Sequence, residues 1–395
     1  MDRDYSKITP ADAPWLTSSS AKAVCDAIAI GGFQIYYVGG CVRNALLGAP
    51  VSDVDMSTNA TPQEVIALVK AAGLKAVPTG IEHGTITVVA DGIGYEVTTF
   101  RRDVETDGRR AVVAFSHDIS DDARRRDFTM NALYADASGN VIDPLGGLDD
   151  LRSRHVRFIE DAETRIREDY LRTLRYFRFH AWYGDTSGGM DEEALAAIAS
   201  NLDGLETLSA ERVGSELKKF LKAGDPSRSL AAMAQIGVLG TILPGADIRF
   251  TLLMIHSESV LSYVPNWLGR LVSLGGSNAP KRLRLSKVQQ REYDSIRAAS
   301  FGDISLLETA FENGVEVAKQ AYLIRCAIAE ALPEVAYIEQ LSEAAVQKFP
   351  VAAADLMPTY QGPALGVRLA QLKSAWIASG FKMTREELIS KPTSQ

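Results

Sequence analysis

The sequence has few cysteines, no long apolar run and no excess of positive charge. Its three cysteines, Cys25, Cys41 and Cys326, are too widely spaced for a zinc motif or a disulfide framework. No run of about 18 apolar residues occurs, so no membrane-spanning helix is expected. The N-terminus is charged and lacks the apolar stretch of a signal peptide. These absences exclude disulfide-rich secreted proteins and membrane proteins, and they predict a reducing, cytoplasmic location.

The formal net charge is −8, from 42 Lys and Arg against 50 Asp and Glu. Such a balance argues against a nucleic-acid partner, because phosphates are bound mainly by Lys and Arg. However, residues 1–150 hold 13 basic and 21 acidic residues, whereas residues 151–395 hold 29 of each. The whole deficit therefore lies in the N-terminal part, and the total charge does not exclude an RNA partner for the remainder.

The chain has 395 residues, more than the roughly 250–300 at which single hydrophobic cores stop growing, so we expect several domains. Strand and helix patterns mix before Gly147, and helical patterns dominate after it. This predicts a small α/β head at 1–150 followed by an all-helical remainder at 151–395. Thr61, Pro62 and Glu64 predict a helix start with a capping box. Further helices are predicted at Asp121–Leu133, at Ser227–Leu239 and at Gly366–Ser379, where Leu372 and Trp376 lie on an apolar stripe expected to be buried.

The sequence lacks both GxxxxGK[ST] and GxGxxG, which argues against P-loop and dinucleotide-binding proteins. Its five histidines are scattered along the chain and only His117 is followed by an aspartate, so no metal phosphohydrolase activity is expected.

Two acidic residues, Asp53 and Asp55, form the strongest local signal. They lie in Val51–Met56, where the residues alternate as in a strand, so both side chains are expected on one face. Neighbouring carboxylates repel each other unless a cation lies between them, and magnesium accepts carboxylate oxygens together with substrate phosphates. The pair therefore predicts a Mg²⁺ site. The alternative is an exposed turn of acidic residues.

A glycine turn and an arginine precede the acidic pair. Gly39 and Gly40 follow a predicted strand at Gln34–Val38 and precede a predicted helix at Cys41–Leu47. The backbone amides of a turn that opens a helix can bind a phosphate group. Arg43, on that helix, carries a charge that can neutralise a triphosphate. Together with the acidic pair, this arrangement predicts a site for a metal-bound nucleotide.

The run 39-GGCVRNALLGAPVSDVD-55 resembles a family motif, GGxVRDxLLGxxxxDxD. The family is that of the polymerase-beta-type nucleotidyltransferases, and in particular its bacterial tRNA CCA-adding enzymes and poly(A) polymerases. Asn44 departs from the motif, since Asp is usual there; the change removes a charge and keeps a hydrogen-bonding carbonyl. The resemblance implies an α+β fold: a polymerase-beta-like catalytic head with a small mixed sheet at 1–150, a helical neck at 151–245, and a helical body and tail at 246–395. It also implies catalysis by Asp53 and Asp55, with Mg²⁺ as cofactor.

Two further runs carry the resemblance. The run 125-RRDFTMNAL-133 is similar to the family's RRD motif, whose Arg126 and Asp127 are implied to bind the nucleotide and its ribose. The run 168-EDYLRTLRYFRF-179 is similar to the family's EDxxRxxRF helix. In the strand that the resemblance places beside the acidic pair, Glu96 is either a third carboxylate ligand or a solvent-facing residue.

The second of these runs offers a way to choose a base without a template. We expect one helix over Arg165–Trp182, on which Asp169 and Arg172 are three residues apart and share a face. Asp accepts and Arg donates hydrogen bonds, so the two together can imitate a Watson–Crick edge that accepts cytosine and adenine. Uracil and guanine would place a carbonyl oxygen against Asp169. Arg175, one turn further, is a candidate for contact with the same base or the phosphates.

The resemblance implies addition of C and A residues from CTP and ATP to the 3′ end of tRNA, with release of pyrophosphate. The alternatives are a poly(A) polymerase, an enzyme that adds only CC or only A, and an inactive RNA-binding relative. The acidic pI of about 5.3 and the lack of a basic C-terminal extension favour the tRNA enzyme. No protein partner and no membrane association are implied.

Two further segments have predicted roles in handling RNA. The segment 281–291 contains basic residues and no acidic one, and it predicts an RNA-phosphate surface, with a solvated helix face as the alternative. Its basic residues are Lys281, Arg282, Arg284, Lys287 and Arg291. Residues 102–110 are polar and aperiodic, which predicts a mobile loop. That loop is either a lever that moves when base choice changes from C to A or a passive surface segment.

Overall fold

The structure is a computed structural model that describes residues 4–107, 110–185 and 187–392, with the backbone alone at 103–107 and 110–113. None of the helices in these ranges combines the length and the apolar character that crossing a membrane requires. The cysteines are all unpaired and buried, as their spacing predicts.

Contacts divide the chain into two compact units. The first contains residues 1–209 and 235–241, and the second contains residues 210–234 and 242–395. The first unit therefore includes both the predicted head and most of the predicted neck. The finer boundaries at residues 150 and 245 stay predictions.

A seven-stranded mixed sheet forms the centre of the first unit, which confirms the predicted small mixed sheet. Its strand order is β3-β4-β5-β2-β1-β8-β9, and a separate hairpin consists of β6 and β7. The β2–β5 pair is parallel, and the other pairs are antiparallel. The strands are β1 Ile35–Val38, β2 Asp55–Thr58, β3 Lys75–Gly80, β4 Thr85–Ala90, β5 Ile93–Thr99, β6 Arg101–Asp107, β7 Arg110–Phe115, β8 Tyr134–Ala135 and β9 Val141–Ile142.

The helices follow the predicted shift from a mixed head to a helical remainder. In chain order, the α-helices of the described residues are α1 Ser19–Ala29, α2 Gly40–Leu47, α3 Pro62–Ala71, α4 Ile119–Arg124, α5 Gly147–Arg152, α6 Ala162–Glu168, α7 Leu171–Tyr183, α8 Glu192–Ala199, α9 Ala210–Leu221, α10 Ser227–Ile236, α11 Val238–Ile242, α12 Arg249–Val260, α13 Trp267–Leu274, α14 Ala279–Arg282, α15 Lys287–Phe301, α16 Leu306–Asn313, α17 Val315–Ile328, α18 Val335–Ala345, α19 Gly362–Ala378 and α20 Arg385–Ser390. Short 3₁₀ helices occur at Pro14–Thr17, Ile81–His83, Thr129–Asn131, Leu202–Thr207 and Ala353–Leu356.

The strand predicted at Val51–Met56 is wrong in its first half. Strand β2 begins at Asp55, so Asp53 lies in the preceding irregular segment rather than on the strand. The reason is the short partner strand: β1 ends at Val38 and the chain turns at Gly39, so residues 51–54 have no strand beside them on that edge. The two carboxylates still reach the same cleft, but not through strand alternation.

Local signals predicted helix α3 well. Thr61 and Glu64 form the expected capping box: the Glu64 amide donates to Thr61 Oγ1 at 3.4 Å, and the Thr61 amide donates to Glu64 Oε2 at 2.7 Å. Pro62 occupies the first helical position, where its missing N–H costs nothing. These three residues are adjacent in sequence, which is why the signal could be recognised there.

Two predictions in the head are wrong. Of the residues 102–110, expected to form a loop, residues 102–107 and 110 lie in the antiparallel strands β6 and β7, and residues 108 and 109 lie outside the described part of the chain. The helix expected at Asp121–Leu133 ends at Arg124, because the backbone beyond it bonds to other segments instead. The Gly39 amide donates to the Leu133 carbonyl at 3.0 Å, and the Ile159 amide donates to the Asp127 carbonyl at 3.1 Å. Long-range pairing of this kind outweighs helix propensity.

The helix predicted at Arg165–Trp182 is broken into α6 and α7 at Asp169. Asp169 is extended, with φ −155° and ψ 102°, and its Oδ1 accepts a hydrogen bond from the Leu171 amide at 3.1 Å. A short acidic side chain that bonds the following backbone favours a new helix start over continuation. Asp169 and Arg172 therefore do not share one helical face as predicted.

The second unit is helical. Helix α15 starts with a capping box formed by Ser286 and Gln289. Helix α19 buries Leu372 and Trp376 in the core of the tail, as the apolar stripe predicts. The helix predicted at Ser227–Leu239 is interrupted at Gly237, whose φ of +100° ends α10 and starts α11.

A buried ion pair joins three segments of the second unit. The side chains of Arg270 and Glu258 are 0% and 3% exposed, and Arg270 Nη2 lies 2.6 Å from Glu258 Oε2. Arg270 also donates to the carbonyls of Leu221 and Ala223 at 2.9 and 2.6 Å, and to that of Gly224 at 3.0 Å. The guanidinium thus satisfies the carbonyls at the end of α9 while linking α12 to α13.

Arg270→Ala is expected to lower the free energy of unfolding of the second unit by about 3–5 kcal/mol, because it leaves a buried carboxylate without its partner. Urea denaturation followed by circular dichroism measures the effect. The control is Arg249→Ala, whose 76% exposed side chain pairs with Asp247 at 2.7 Å; solvent screens this surface pair, so its loss should lower the free energy of unfolding far less. Similar losses for both variants would contradict a structural role for the buried pair.

Candidate active site

Three carboxylates line a cleft of about 850 Å³ in the first unit. Asp55 is the first residue of β2, and Glu96 on β5 is its partner in the parallel register. Asp53 lies two residues before β2, and its Oδ2 accepts a hydrogen bond from Ser52 Oγ at 2.8 Å. The sequence pair thus reaches one cleft, together with Glu96.

The ionised carboxylate of Asp55 lies in an unfavourable electrostatic environment. The surrounding protein withdraws water from its carboxylate, and the charges of Glu96 and Asp53 repel it, so the pKa of Asp55 is raised despite the opposing charge of Arg126. A divalent cation would relieve this repulsion, and paired carboxylate oxygens are the ligands that magnesium prefers. Asp53 and Asp55 therefore fit a magnesium site. Within the described residues, no three His, Cys, Asp or Glu side chains form a metal-binding group, so Glu96 is not assigned as a third ligand.

The glycine turn opens helix α2, as predicted. Gly39 has a φ of +70°, a conformation that side-chain-bearing residues rarely adopt, and a Cβ there would lie 3.2 Å from Arg126 Nη1. Gly40 begins α2 and leaves the first amides of the helix without intrahelical partners. These amides point out of the helix start, where an anion is favoured.

Arg43 is more buried than a simple phosphate-binding residue would be. Its side chain donates to Asn131 Oδ1 and to the Tyr183 hydroxyl, the latter at 2.9 Å. The guanidinium carbon lies 4.0 Å from the centroid of the Tyr183 ring and 5.0 Å from that of Phe179. Burial lowers the pKa of Arg43. Arg43 thus connects α2 to α7 in addition to carrying charge near the glycine turn.

Asn44, the departure from the family motif, has a defined role in the structure. Its Oδ1 accepts hydrogen bonds from Arg43 Nε and Nη2 at 3.1 and 2.9 Å, and its amide nitrogen donates to the Pro50 carbonyl at 2.6 Å. An aspartate could accept from Arg43 but could not donate to Pro50. In this chain the amide therefore ties the segment before Asp53 to helix α2.

Arg126 lies beneath the glycine turn. Its Nη2 is 3.0 Å from Asp122 Oδ2, and its Nε donates to the Tyr134 hydroxyl at 3.2 Å. Tyr134 also donates to Asp122 Oδ2 at 2.8 Å, so the three side chains hold one another in place. Arg126 and Gly39 are thereby brought together, as the family resemblance implies for two residues of one nucleotide site.

Asp127 is buried and fully engaged. Arg175 Nε and Nη2 lie 2.6 and 2.5 Å from its Oδ2, and Asn131 Nδ2 donates to its Oδ1 at 2.8 Å. Burial alone would raise the pKa of Asp127, but Arg175 and Asn131 outweigh it and hold the pKa at about 2. The Arg175 guanidinium is therefore directed to Asp127, which links α7 to the RRD run.

Arg172 is held by Glu168, a residue that the sequence interpretation did not assign. Glu168 Oε2 accepts hydrogen bonds from both Arg172 Nη1 and Arg165 Nη1. Arg172 also donates to the Arg165 carbonyl at 2.9 Å, and the Asp169 carbonyl accepts from the Arg172 amide at 2.9 Å. Asp169 and Arg172 thus remain neighbours at the start of α7, although the helix break changes how each is presented.

Three residues that the sequence interpretation missed connect the assigned ones: Glu168, Asn131 and Tyr183. Glu168 precedes Arg172 by four residues, a spacing that favours an ion pair on a helix, so this contact could have been predicted from the sequence. Asn131 lies inside the RRD run, but an uncharged amide at that position gives no functional signal in the sequence. Tyr183 is 140 positions from its partner Arg43, and no local pattern predicts that contact.

The predicted RNA-binding residues lie in the second unit and are all exposed. Lys281 and Arg282 belong to α14, whereas Lys287 and Arg291 are one turn apart on α15. Arg284 lies between the two helices with a φ of +50°, and it pairs with Glu211 at 3.2 Å. The segment thus has the exposure that a phosphate-binding surface needs, and its role stays a prediction.

Comparisons with known proteins address the family directly. A family model described as "Poly A polymerase head domain" matches residues 35–157, and one described as "Probable RNA and SrmB- binding site of polymerase A" matches residues 189–249. The CCA tRNA nucleotidyltransferase 1, mitochondrial, of Mus musculus is 32% identical over 393 residues, which cover 95% of this chain and 90% of the relative. The chain belongs to the CCA tRNA nucleotidyltransferase family. The resemblance drawn from the sequence motifs is thereby confirmed.

Bacterial members of the CCA tRNA nucleotidyltransferase family are also similar. The CCA-adding enzyme of Geobacillus thermodenitrificans (strain NG80-2) is 40% identical over 216 residues, 54% of this chain and 52% of the relative. A crystal structure of the Bacillus stearothermophilus CCA-adding enzyme in complex with CTP is 29% identical, covers 91% of this chain and 92% of that one, and gives a TM-score of 0.73. The Thermotoga maritima CCA-adding enzyme complexed with tRNA_CCA, at 19% identity and a TM-score of 0.65, shares the fold. These likenesses confirm the predicted α+β architecture.

Proposed function

We propose that the protein adds C and A residues to the 3′ end of tRNA, using CTP and ATP without a nucleic-acid template and releasing pyrophosphate. The observation that carries this proposal is the site itself. Asp53 and Asp55 share a cleft. The glycine turn that precedes them in the sequence follows strand β1, and Arg43 lies on helix α2. Relatives with this family's name match nearly the whole chain, which supports the same activity.

Magnesium is the proposed cofactor, and Asp53 and Asp55 would hold it. When bound, Mg²⁺ supplies activation of the RNA 3′-hydroxyl and neutralisation of the leaving pyrophosphate. The protein contributes the acceptor oxygens. Burial, and then repulsion from Glu96 and Asp53, raises the pKa of Asp55, and a cation would offset that repulsion. No protein nucleophile is needed for this reaction, since the RNA hydroxyl attacks the α-phosphate directly.

The triphosphate is proposed to bind at the start of α2. Gly39 forms the turn, Gly40 and the residue after it offer backbone amides at the helix start, and Arg43 and Arg126 supply positive charge close to them. Asp127 is proposed to contact the ribose, with Arg175 keeping its carboxylate ionised and fixed. Positioning and charge neutralisation by these groups account for most of the expected rate in phosphoryl transfer.

Base choice is proposed to depend on Asp169 and Arg172. Asp169 would accept from the amino group of cytosine or adenine, and Arg172 would donate to a ring acceptor. Glu168 keeps the Arg172 guanidinium in place by accepting from its Nη1. A mismatched base would leave polar groups facing like groups, which is how a polar site achieves strong discrimination.

The proposal extends to the second unit and to the surroundings of the enzyme. The exposed basic segment 281–291 is proposed to bind tRNA phosphates. The strands β6 and β7 stand where a lever loop was predicted.

The cytoplasmic location stays a prediction, since relatives include mitochondrial forms. A poly(A) polymerase is an alternative for the reaction, because the matching head model carries that description, and a partial adding enzyme is another.

Single-nucleotide incorporation on three tRNAs tests the proposed function. The purified protein with Mg²⁺ is given tRNAs that end before the first C, before the second C and before A, each with one labelled nucleotide. CTP is expected to extend only the first two, and ATP only the third. Extension of a single one of these ends would indicate a partial adding enzyme, and long A tails on any RNA would indicate a poly(A) polymerase.

A further inference from the structure

Two guanidinium groups lie beside the glycine turn that opens α2. A Cβ on Gly39 would lie 3.2 Å from Arg126 Nη1, and a Cβ on Gly40 would lie 3.8 Å from Arg43 Nη2. Both arginines are thus close enough to the start of α2 to act on an anion bound there. The two guanidinium groups differ in the charge of their hydrogen-bond acceptors.

The charge of Arg126 is balanced by a buried carboxylate. Arg126 Nη2 lies 3.0 Å from Asp122 Oδ2, and the side chain of Asp122 is 1% exposed. At a distance, the field of the carboxylate cancels most of that of the guanidinium. Arg126 therefore brings hydrogen-bond donors to the turn, and far less positive charge than a lone guanidinium would.

Arg43 differs, because every acceptor that the described residues offer to its guanidinium is uncharged. These acceptors are Asn44 Oδ1, at 3.1 Å from Nε and 2.9 Å from Nη2, Asn131 Oδ1, and the Tyr183 hydroxyl at 2.9 Å from Nη2. Arg43 is only 5% exposed, so water screens its charge little. Since an arginine stays protonated in a protein interior, Arg43 is the less compensated of the two positive charges at the turn.

More distant charges do not replace the missing carboxylate. Burial lowers the pKa of Arg43, and beyond that Asp127 and Arg178 act on it in opposite directions. The Asp127 carboxylate is itself paired with Arg175 at 2.5 Å. The positive charge at the turn thus depends mainly on Arg43.

Asn44 gives Arg43 a neutral partner. Asn44 Nδ2 donates to the Pro50 carbonyl at 2.6 Å, which directs Oδ1 toward Arg43. An aspartate could accept from Arg43 in the same way, but it would form an ion pair with the guanidinium, as Asp122 does with Arg126. The amide keeps the hydrogen bonds and avoids this pairing.

We propose that Asn44 is a positioning residue of the triphosphate site: it holds the Arg43 guanidinium through a neutral acceptor, so that the positive charge stays available to phosphates at the start of α2. Asn44 acts through Arg43 and contacts no substrate. The inference rests on the proposed function and adds to it the source of the charge that attracts the triphosphate.

Two substitutions of Asn44 separate charge from hydrogen bonding. Asn44→Asp adds a charge and loses the bond to Pro50, whereas Asn44→Ala loses that bond and adds no charge. Isothermal titration calorimetry of the full chain with inorganic tripolyphosphate in EDTA measures anion binding without metal or turnover. Asn44→Asp should weaken this binding at least about tenfold, and Asn44→Ala at most about threefold. The matched control is Asn59→Asp, which adds the same charge at the end of β2 away from the glycine turn and should change binding less than about twofold.

Salt distinguishes an electrostatic role from a merely structural one, because dissolved ions screen charges but not hydrogen bonds. Added NaCl should weaken tripolyphosphate binding less steeply in Asn44→Asp than in the parent protein and in Asn44→Ala. If Asn44→Asp fails to fold, Asp122→Asn gives the reverse test: it removes the carboxylate beside Arg126 and should strengthen binding about threefold, which a loss of structure cannot do.

Three results would overturn the inference. They are equal weakening in the two Asn44 variants, unchanged binding in Asn44→Asp, and a parent protein that binds no tripolyphosphate. Where Asp122→Asn has to decide, unchanged or weaker binding by the folded variant would overturn it as well.

Kinetics separate this inference from the proposed function. In a parent protein that adds nucleotides, Asn44→Asp should raise KM for CTP at least about tenfold and leave KM for tRNA within about twofold. A parent protein that binds tripolyphosphate with the expected differences but adds no nucleotide would contradict the proposed function and leave the inference standing. Nucleotide addition with the same KM for CTP in the parent protein and in Asn44→Asp would do the reverse.

Discussion

Asp55→Asn is expected to lower nucleotide incorporation by at least about a thousandfold, because metal coordination supplies several kcal/mol of transition-state stabilisation. The change keeps the shape of the side chain and removes its charge. Because the pKa of Asp55 is raised by burial and by repulsion from Glu96, its ionised form opposes folding at neutral pH. The variant should therefore unfold at a temperature no lower than that of the parent. Incorporation assays and thermal unfolding measure the two effects separately.

A matched control for this prediction is Asp26→Asn, which removes the charge of an exposed aspartate on α1 in the same unit. It should leave incorporation unchanged. Chelation of divalent cations should abolish incorporation by the parent protein, and added Mg²⁺ should restore it. Retention of activity by Asp55→Asn in a folded state would remove the basis for the metal assignment.

Substitution of Asp169 is expected to change which nucleotide is used more than how fast it is used. Asp169→Ala should raise the ratio of UTP to CTP incorporation by at least about tenfold, because no carboxylate then repels the uracil carbonyl. Asp169→Asn should raise it further, since an amide can donate to that carbonyl. Steady-state kcat/KM for all four nucleotides on a tRNA ending before the first C measures these ratios.

The control for base choice must account for the structural role of Asp169, whose Oδ1 accepts from the Leu171 amide at the start of α7. Asp161 provides it: its Oδ1 accepts from the Thr164 amide at 2.8 Å at the start of α6, on an exposed surface. Asp161→Ala should lower stability modestly, through loss of the helix cap, and leave base choice unchanged. If UTP stays excluded in both Asp169 variants, side-chain templating by this residue is wrong.

The parts of the fold predicted well from sequence were those whose signals are local. The Thr61 capping box and the glycine turn before α2 each depend on residues a few positions apart, and both are present as expected. The pair Asp53 and Asp55 could be recognised from its spacing to that turn. The family resemblance added roles for residues that spacing alone could not distinguish from an acidic surface.

Most of the remaining parts depend on contacts between distant segments. The break at Asp169 is local, since its side chain accepts from the Leu171 amide, and the helical periodicity on either side concealed it. In contrast, α4 ends at Arg124 because the backbone beyond it finds distant partners that no local pattern shows. The same holds for the chain of side chains from Arg43 through Asn131 to Asp127, which joins segments 84 to 88 residues apart. Sequence periodicity predicted a helix through Asp127 and Asn131. Periodicity indicates which residues are buried, but it does not show which segment they pack against.

These connections give the site a physical interpretation that the motifs alone did not. Arg43 contacts both Tyr183 on α7 and Asn131, and Asn131 in turn donates to Asp127. Arg175 on α7 completes the network at Asp127. The proposed phosphate-binding helix and the proposed base-selecting helix are therefore held together by buried, hydrogen-bonded side chains. A nucleotide bound between them would be positioned by one rigid set of groups.

Sequencing of product 3′ ends is the most direct test of the central claim. A tRNA transcript that lacks CCA is incubated with the protein, Mg²⁺ and all four nucleotides at once, and the added nucleotides are read individually. The account predicts that nearly every extended molecule ends in CCA and that addition then stops. Extended products with runs of A, or with U and G at these positions, would contradict it.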